Sequence, residues 1–189
     1  KQNYSDEDVK PFIKFATRYN QSEIGYNYRE ALENIDLFEN IVPSQSGIVV
    51  EEGAVNIQFA DNTETRTNIY VDSVGEREFK FCFVEVPILA IFNDDECQPR
   101  AIKSPHIRKI YFDLLDNPLN EPPCCRIHND GDGLFKILMF DGQHKTVSSI
   151  LQGKTKIVIK LYLDMTREEA TRLINTIQNK IVKLKASSF

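Results

Sequence analysis

The six residues Asp141-Gly-Gln-His-Lys-Thr146 follow an apolar run, Leu134-Phe-Lys-Ile-Leu-Met-Phe140, and lead into a helical pattern. A strand that ends in a glycine-containing turn and opens a helix leaves backbone N–H groups unpaired at the positive end of the helix dipole. Such a terminus holds phosphate or another anion. In this turn Gly142 lets a ligand approach the backbone, Gln143 and His144 donate hydrogen bonds, and Lys145 supplies a point charge. The Thr146 hydroxyl is placed to face a phosphate or a metal. The alternative is that Asp141 only caps the helix and the other polar side chains are solvated. The turn is neither a Walker A motif nor a dinucleotide fingerprint, because the required glycines are absent.

Two further groups carry chemistry of lower specificity. Gln98-Pro99-Arg100 is a loop tripeptide with one fixed cation. Asn175, Gln178 and Asn179 lie at i, i+3 and i+4, so one helix face presents three amides beside Lys180. Asp94, Asp95 and Glu96 form an acidic loop that reads either as a site for a hard cation such as Mg²⁺ or as solvated carboxylates. His106, His128 and His144 show no metal-ligand spacing, which argues against zinc. No G-x-S-x-G elbow supports a Ser/His/Asp hydrolase. Cys82, Cys97, Cys124 and Cys125 lack CxxC spacing and read as reduced, partly buried thiols.

The elements that must position these residues follow from periodicity and punctuation. Residues 7–19 and 28–41 read as helices, the second with Ala31, Leu32, Ile35, Phe38 and Ile41 near helical spacing. Pro43 and Gly47 break the pattern, and β-rich runs follow over 48–72. Residues 1–75 thus form a helical and β-hairpin extension without a chemical motif. From Phe79 to Phe92 the chain is β-type, interrupted by Pro87. Ser104-Pro105 opens a helix, with Ser104 as N-cap and Pro105 at the first helical position. Asn129-Asp-Gly-Asp-Gly133 turns between strands Cys124–His128 and Leu134–Phe140. After the Asp141–Thr146 turn, Val147, Ile150 and Leu151 share a helix face that Gly153 ends. Ile157, Ile159, Leu161 and Leu163 alternate along a strand, and Thr166-Arg-Glu-Glu169 is a capping box for the last helix. The order is that of an α/β (α+β) domain over 76–189.

The chain of 189 residues suits one domain with an appendage, and no apolar run spans a bilayer. The expectation is a soluble cytoplasmic protein without a membrane partner. Its net charge of −5 is uneven: 9 basic and 3 acidic residues from Lys145 onward give +6, leaving −11 for residues 1–144. The positive part starts inside the proposed phosphate turn, so the acidic mean does not exclude nucleic acid.

Val86-Pro-Ile-Leu-Ala-Ile, Gln98-Pro-Arg100, a helix, a hairpin, strand–Asp141-Gly-Gln-His-Lys–helix, strand and Asn175-Thr-Ile-Gln-Asn-Lys180 occur in this order. Together they resemble the N-terminal domain of the ParB family, in the ParB/sulfiredoxin superfamily, over about residues 79–185. The Asp-Gly-Gln-His-Lys wording is closest to the DGQHR (DndB-like) branch. The resemblance implies a mixed sheet with flanking helices that binds a nucleoside triphosphate, CTP or ATP, with Mg²⁺. Its contacts would be Gln98, Arg100, Gly142, Gln143, His144, Lys145, Thr146, Asn175, Gln178, Asn179 and Lys180. Asn175 and Gln178 would reach the phosphates, the Mg²⁺ or the base, and His144, Gln143 or Asp141 would position water if the triphosphate is hydrolysed. ParB's paired arginines are His144 and Lys145 here, which departs from the CTP pattern. Gln143 stands where sulfiredoxin needs cysteine.

The functional expectation is an NTP-binding module, an NTPase if it hydrolyses, in a DNA-linked process such as partition, DNA modification or restriction, or regulation. DNA would be met through the basic C-terminal segment or a downstream domain, and a homodimer is compatible. The alternatives are a DNA-binding regulator without catalysis and a metal-dependent nuclease using Asp141, His144 and Lys145.

Overall fold

The computed structural model describes residues 4–20, 28–33, 35, 44–97, 101–119, 121–129, 131 and 133–186; for 33 and 177–186 it describes the backbone only. In chain order the elements are helices α1 (Asp6–Asn20) and α2 (Tyr28–Glu33) and strands β1 (Gly47–Glu51), β2 (Ala54–Gln58), β3 (Glu64–Asn68), β4 (Tyr70–Val74), β5 (Arg77–Pro87) and β6 (Ile91–Asn93). Then come α3 (Ser104–Asp116), β7 (Cys124–Asn129), β8 (Phe135–Asp141), α4 (Gln143–Leu151), β9 (Lys156–Tyr162) and α5 (Arg167–Ala186). The result is a mixed α+β fold. Among the described residues no helix is long and apolar enough to cross a membrane.

The strands form two sheets. β1, β2 and β3 make a three-stranded antiparallel sheet, and a six-stranded sheet runs β4-β5-β9-β7-β8-β6. In the larger sheet β6 pairs parallel with β8 and β7 parallel with β9, while the other pairings are antiparallel. Pro87 ends β5, and a single 3-10 turn, Ile88–Ala90, carries the chain into β6. A proline cannot continue the ladder, which explains the division of this apolar run.

Alternation decides the two faces. Cys82, Val84 and Val86 on β5, Ile157, Ile159 and Leu161 on β9, and Ile137 and Met139 on β8 face the main core, where Ile107, Tyr111, Val147 and Ile150 meet them. Phe12, Phe15, Tyr28, Ala31 and Leu32 enter that same core. Residues of the first 75 therefore share the packing of the rest, and β4 is a strand of the larger sheet. On the opposite face, Phe140, Tyr162, Met165, Ala170 and Ile174 form a second cluster beneath α5. Phe38, Ile41 and residues 36–43 generally lie outside the described residues, as do the side chains of Ile177 and Ile181.

Capping explains several boundaries. Thr166 N–H donates to Glu169 Oε2 at 2.8 Å and Glu169 N–H to Thr166 Oγ1 at 3.2 Å, the reciprocal box expected from the sequence. Arg77 Nε also donates to Glu169 Oε1 at 2.8 Å, tying α5 to β5. At the end of α4, Gly153 N–H donates to Ile150 O and Lys154 N–H to Ser149 O, with Gly153 at φ 80°. One expected boundary needs correction. Lys103, not Ser104, is the N-cap of α3, because the His106 and Ile107 N–H groups both bond to Lys103 O. Pro105 is consequently the second helical residue.

Candidate functional site

β6 and β8 are parallel neighbours, and the chain leaves the C-terminal end of each towards a helix, α3 and α4 respectively. Three hydrogen bonds tie those helices together. Lys103 N–H donates to His144 Nε2 at 3.1 Å, Ser148 Oγ–H is shared between Ile107 O at 3.3 Å and His144 O of its own helix at 2.8 Å, and Gln152 Nε2 donates to Tyr111 O at 3.5 Å. Each step is four residues on both helices, so α3 and α4 run side by side in the same direction. Their N-termini consequently lie at one end, where the positive ends of two dipoles add.

The turn that opens α4 is shaped by packing. Gly142 is its N-cap in the left-handed region at φ 104° and ψ 11°, without a side-chain cap. A Cβ at this position would stand 2.7 Å from both Cα and Cβ of Pro123. Pro123 thus occupies the space expected to admit an approaching ligand. This close approach is the physical reason for glycine here.

The remaining residues of the motif divide by burial. Gln143 is 2% exposed and Thr146 fully buried. Thr146 Oγ1–H points to Gly142 O at 3.1 Å and Met139 Sδ at 3.3 Å, so the expectation that this hydroxyl faces a phosphate or metal is corrected. His144 and Lys145 are half-buried. The His144 Nε2 lone pair accepts the Lys103 N–H, which assigns the ring proton to Nδ1 in the neutral form. The ring stands edge-on to His106, centroids 4.7 Å apart. Lys145 Nζ pairs with the Glu121 carboxylate at 3.1 Å and donates to Glu121 O at 3.2 Å. Asp141 is the half-buried last residue of β8, opposite Cys124.

Around this end the structure adds Lys103, His106 and Glu121, none visible from the motif because each is distant in sequence. A recess of about 470 Å³ adjoins the start of α3, lined by Tyr19, Asn20, Lys103, Ser104, Pro105 and His106. A second recess, of about 570 Å³, opens at the other end of the helix pair beside Phe15, Tyr111, Leu115 and Leu151, away from the turn. Gln98 and Arg100 lie outside the described residues, as do the side chains of Gln178, Asn179 and Lys180. Asn175 is exposed on α5, which packs on the opposite face of the sheet from α4.

In the acidic loop Asp95 and Glu96 are exposed, as the solvated reading expected, and Asp94 is the exception. Asp94 is 2% exposed and its Oδ2 accepts Arg126 Nε at 2.7 Å, with the Arg126 side chain 7% exposed. Glu96 pairs with Arg167 at 2.8 Å, which holds its carboxyl below the usual range. Asp95 accepts a hydrogen bond from Asn93. Asp94 is thus buried in an ion pair, while Asp95 and Glu96 are exposed, Glu96 at 63%. Among the described residues no group of three or more His, Cys, Asp or Glu is placed to hold a metal ion.

The cysteines are free thiols, and burial pushes Cys82 and Cys124 up to about 11, outside the range of thiolate chemistry at neutral pH. The arrangement is suited to holding an anion by amides, lysine and imidazole, and the thiols of Cys82 and Cys124 are not poised to act as nucleophiles. No known protein-family model matches the chain, and no curated protein matches it significantly.

Proposed function

We propose that the common N-terminal end of α3 and α4 is the phosphate site of a nucleoside-triphosphate-binding module that works in a DNA-linked process, as the ParB resemblance suggests. The observation that carries this reading is the parallel α3–α4 pair, whose three bonds keep the same spacing throughout. Two adjacent helix N-termini with Lys103 and Lys145 form a cationic end that a polyphosphate neutralises, and the neutral His144 ring offers a hydrogen bond beside it. Lys145 exchanges the 83% exposed Glu121 carboxylate for a phosphate oxygen, a small cost because exposed ion pairs contribute little.

Binding is favoured over hydrolysis. Gln143 is buried, and the His144 nitrogen that would take a proton from water already accepts the Lys103 N–H. The described residues build no Mg²⁺ site of their own, so the proposed interactions run to phosphate oxygens alone.

Titration with labelled CTP, ATP and GTP tests the reading. At least one nucleotide binds the wild type, and Lys145→Ala weakens it about tenfold, as expected when one charge-assisted hydrogen bond is removed. No binding at millimolar nucleotide, or equal affinity in Lys145→Ala, defeats it. Salt-steep duplex binding without nucleotide, abolished in the same variant, would instead assign the site to a DNA phosphate.

A further inference from the structure

The outer face of the six-stranded sheet is only partly covered. α5 seals it over Phe140 and Tyr162, but Tyr70, Phe83 and Val158 remain 50%, 46% and 46% exposed. Strand register explains how they meet. Tyr70 on β4 stands opposite Phe81 on β5, and Phe81 stands opposite Tyr162 on β9, so three rings cross the sheet in a row. Phe83 extends the row along β5. Ring centroids are 5.8 Å apart for Tyr70–Phe81, 5.8 Å for Phe81–Phe83 and 6.3 Å for Tyr70–Phe83.

Lysines run alongside. Lys160 Nζ sits 4.1 Å from the centre of the Phe81 ring and 4.8 Å from that of Tyr162. Lys156 is exposed on the same face of β9, and exposed Lys154 precedes it in the turn. Same-face residues recur about every 6.8 Å along a strand, so Lys156 lies roughly 13.6 Å from Lys160 along β9, with Val158 between them, on a line that leads from the rings. The carboxylates nearby are Glu85, opposite Val158, Asp72 on β4, and Asp61, whose carboxyl feels the charge of Lys156.

We propose that this face binds single-stranded nucleic acid, with bases stacked on Tyr70 and Phe83 and phosphates following Lys160, Lys156 and Lys154. Stacking on exposed rings requires unpaired bases, which a duplex does not offer. A protein partner fits less well, because lysine is depleted from the centre of protein interfaces and Lys160 lies among the rings. Lys160 adjoins the helix-pair site, since its N–H donates to Pro123 O at 2.9 Å. The test therefore uses Tyr70, Phe83, Lys154 and Lys156, whose substitution is expected to leave nucleotide binding at Lys145 unchanged.

Fluorescence anisotropy with labelled oligo-dT of about 20 nucleotides, and with the matching duplex, tests it. Wild type binds the single strand more tightly than the duplex. Tyr70→Ala/Phe83→Ala weakens that binding at least about tenfold, since each stacked base contributes strongly. Lys154→Gln/Lys156→Gln lowers the slope of log K against log salt by about 1.4, roughly 0.7 for each phosphate no longer neutralised. Phe83→Leu keeps apolar bulk while removing the ring, so it separates stacking from folding. Absent binding, a duplex bound as tightly as the single strand, or unchanged affinity in both ring variants overturns the proposal. Self-association that Phe83→Leu abolishes, without oligonucleotide binding, would assign the face to a second copy of the chain and overturns it too.

Discussion

Replacing Gly142 by alanine separates two reasons for a glycine in the turn, ligand approach and packing. Two costs can be worked from the geometry. A β-carbon at φ 104° costs about 1–2 kcal/mol in backbone strain. Its overlap with Pro123 Cα and Cβ at 2.7 Å adds about 1–3 kcal/mol, because backbone on a proline yields little. The expected loss is thus about 2–5 kcal/mol. Gly153 supplies the control, since it lies at φ 80° with nothing within 4 Å of an added Cβ. Gly153→Ala therefore suffers only the strain, about 1–2 kcal/mol. The chain has no tryptophan, so urea unfolding is followed by far-UV circular dichroism. With a urea slope of about 2 kcal/mol/M, the Gly142→Ala midpoint falls by about 1–2.5 M and that of Gly153→Ala by about 0.5–1 M. Equal losses in the two variants would refute the Pro123 packing and restore the view that the space beside Gly142 is kept open for a ligand.

Three further outcomes follow from the ion pairs and caps. Asp94→Ala strands the buried Arg126 guanidinium and costs about 3–5 kcal/mol in the same unfolding assay, whereas Asp94→Leu/Arg126→Met recovers most of it. Unfolding of Asp94→Ala at the wild-type midpoint would dismiss the pair. Arg77, aided by Thr166, holds the Glu169 carboxyl down from 4.5 to about 2. A depressed carboxylate stabilises above its unfolded value and loses that contribution as pH falls from about 4.5 towards 2. Screening at Arg77, which is 40% exposed, leaves about 1 kcal/mol, so Glu169→Gln should narrow its gap to wild type by that amount between pH 6 and about 2.5. A gap independent of pH would contradict the assignment. Thr166→Ala removes the hydroxyl that accepts the Glu169 N–H and costs about 1 kcal/mol, read from thermal melts.

What could be read in advance was local. The helix over 7–19, the break at Pro87, the alternation through Ile157, Ile159 and Leu161, the stop at Gly153 and the Thr166–Glu169 box each depend on neighbours within one element. The sequence Glu64-Thr-Arg-Thr-Asn68 has no apolar alternation, and it becomes strand β3 only because β2 pairs with it. Asp94 reads as solvated within Asn93-Asp-Asp-Glu96, yet Arg126, 32 residues away, draws it into the interior. The motif at 141–146 was legible as strand, turn and helix. Its inner and outer sides were not, because the burial of Gln143 and Thr146 depends on Met139 and on the main core.

The same distinction bears on the candidate site. Each helix start is a local feature, and a solitary one is ordinary. Their coincidence is a property of the sheet, because β6 and β8 are parallel neighbours and each leads towards a helix from its C-terminal end. In open α/β sheets, that strand end is where ligands collect. Two parallel helices side by side also repel at matching ends, and Lys103 and Lys145 increase the positive charge where the N-termini meet. The carboxylate that pairs with Lys145 is Glu121, 83% exposed and so weakly effective, while Asp141 ends β8 directly before the turn. The α4 N-cap itself cannot carry a carboxylate, because Gly142 lies at φ 104° and any Cβ there would stand 2.7 Å from Pro123. On the proposed reading an anion arriving from solution offsets this positive end, and a polyphosphate would supply several charges where the Glu121 side chain supplies one.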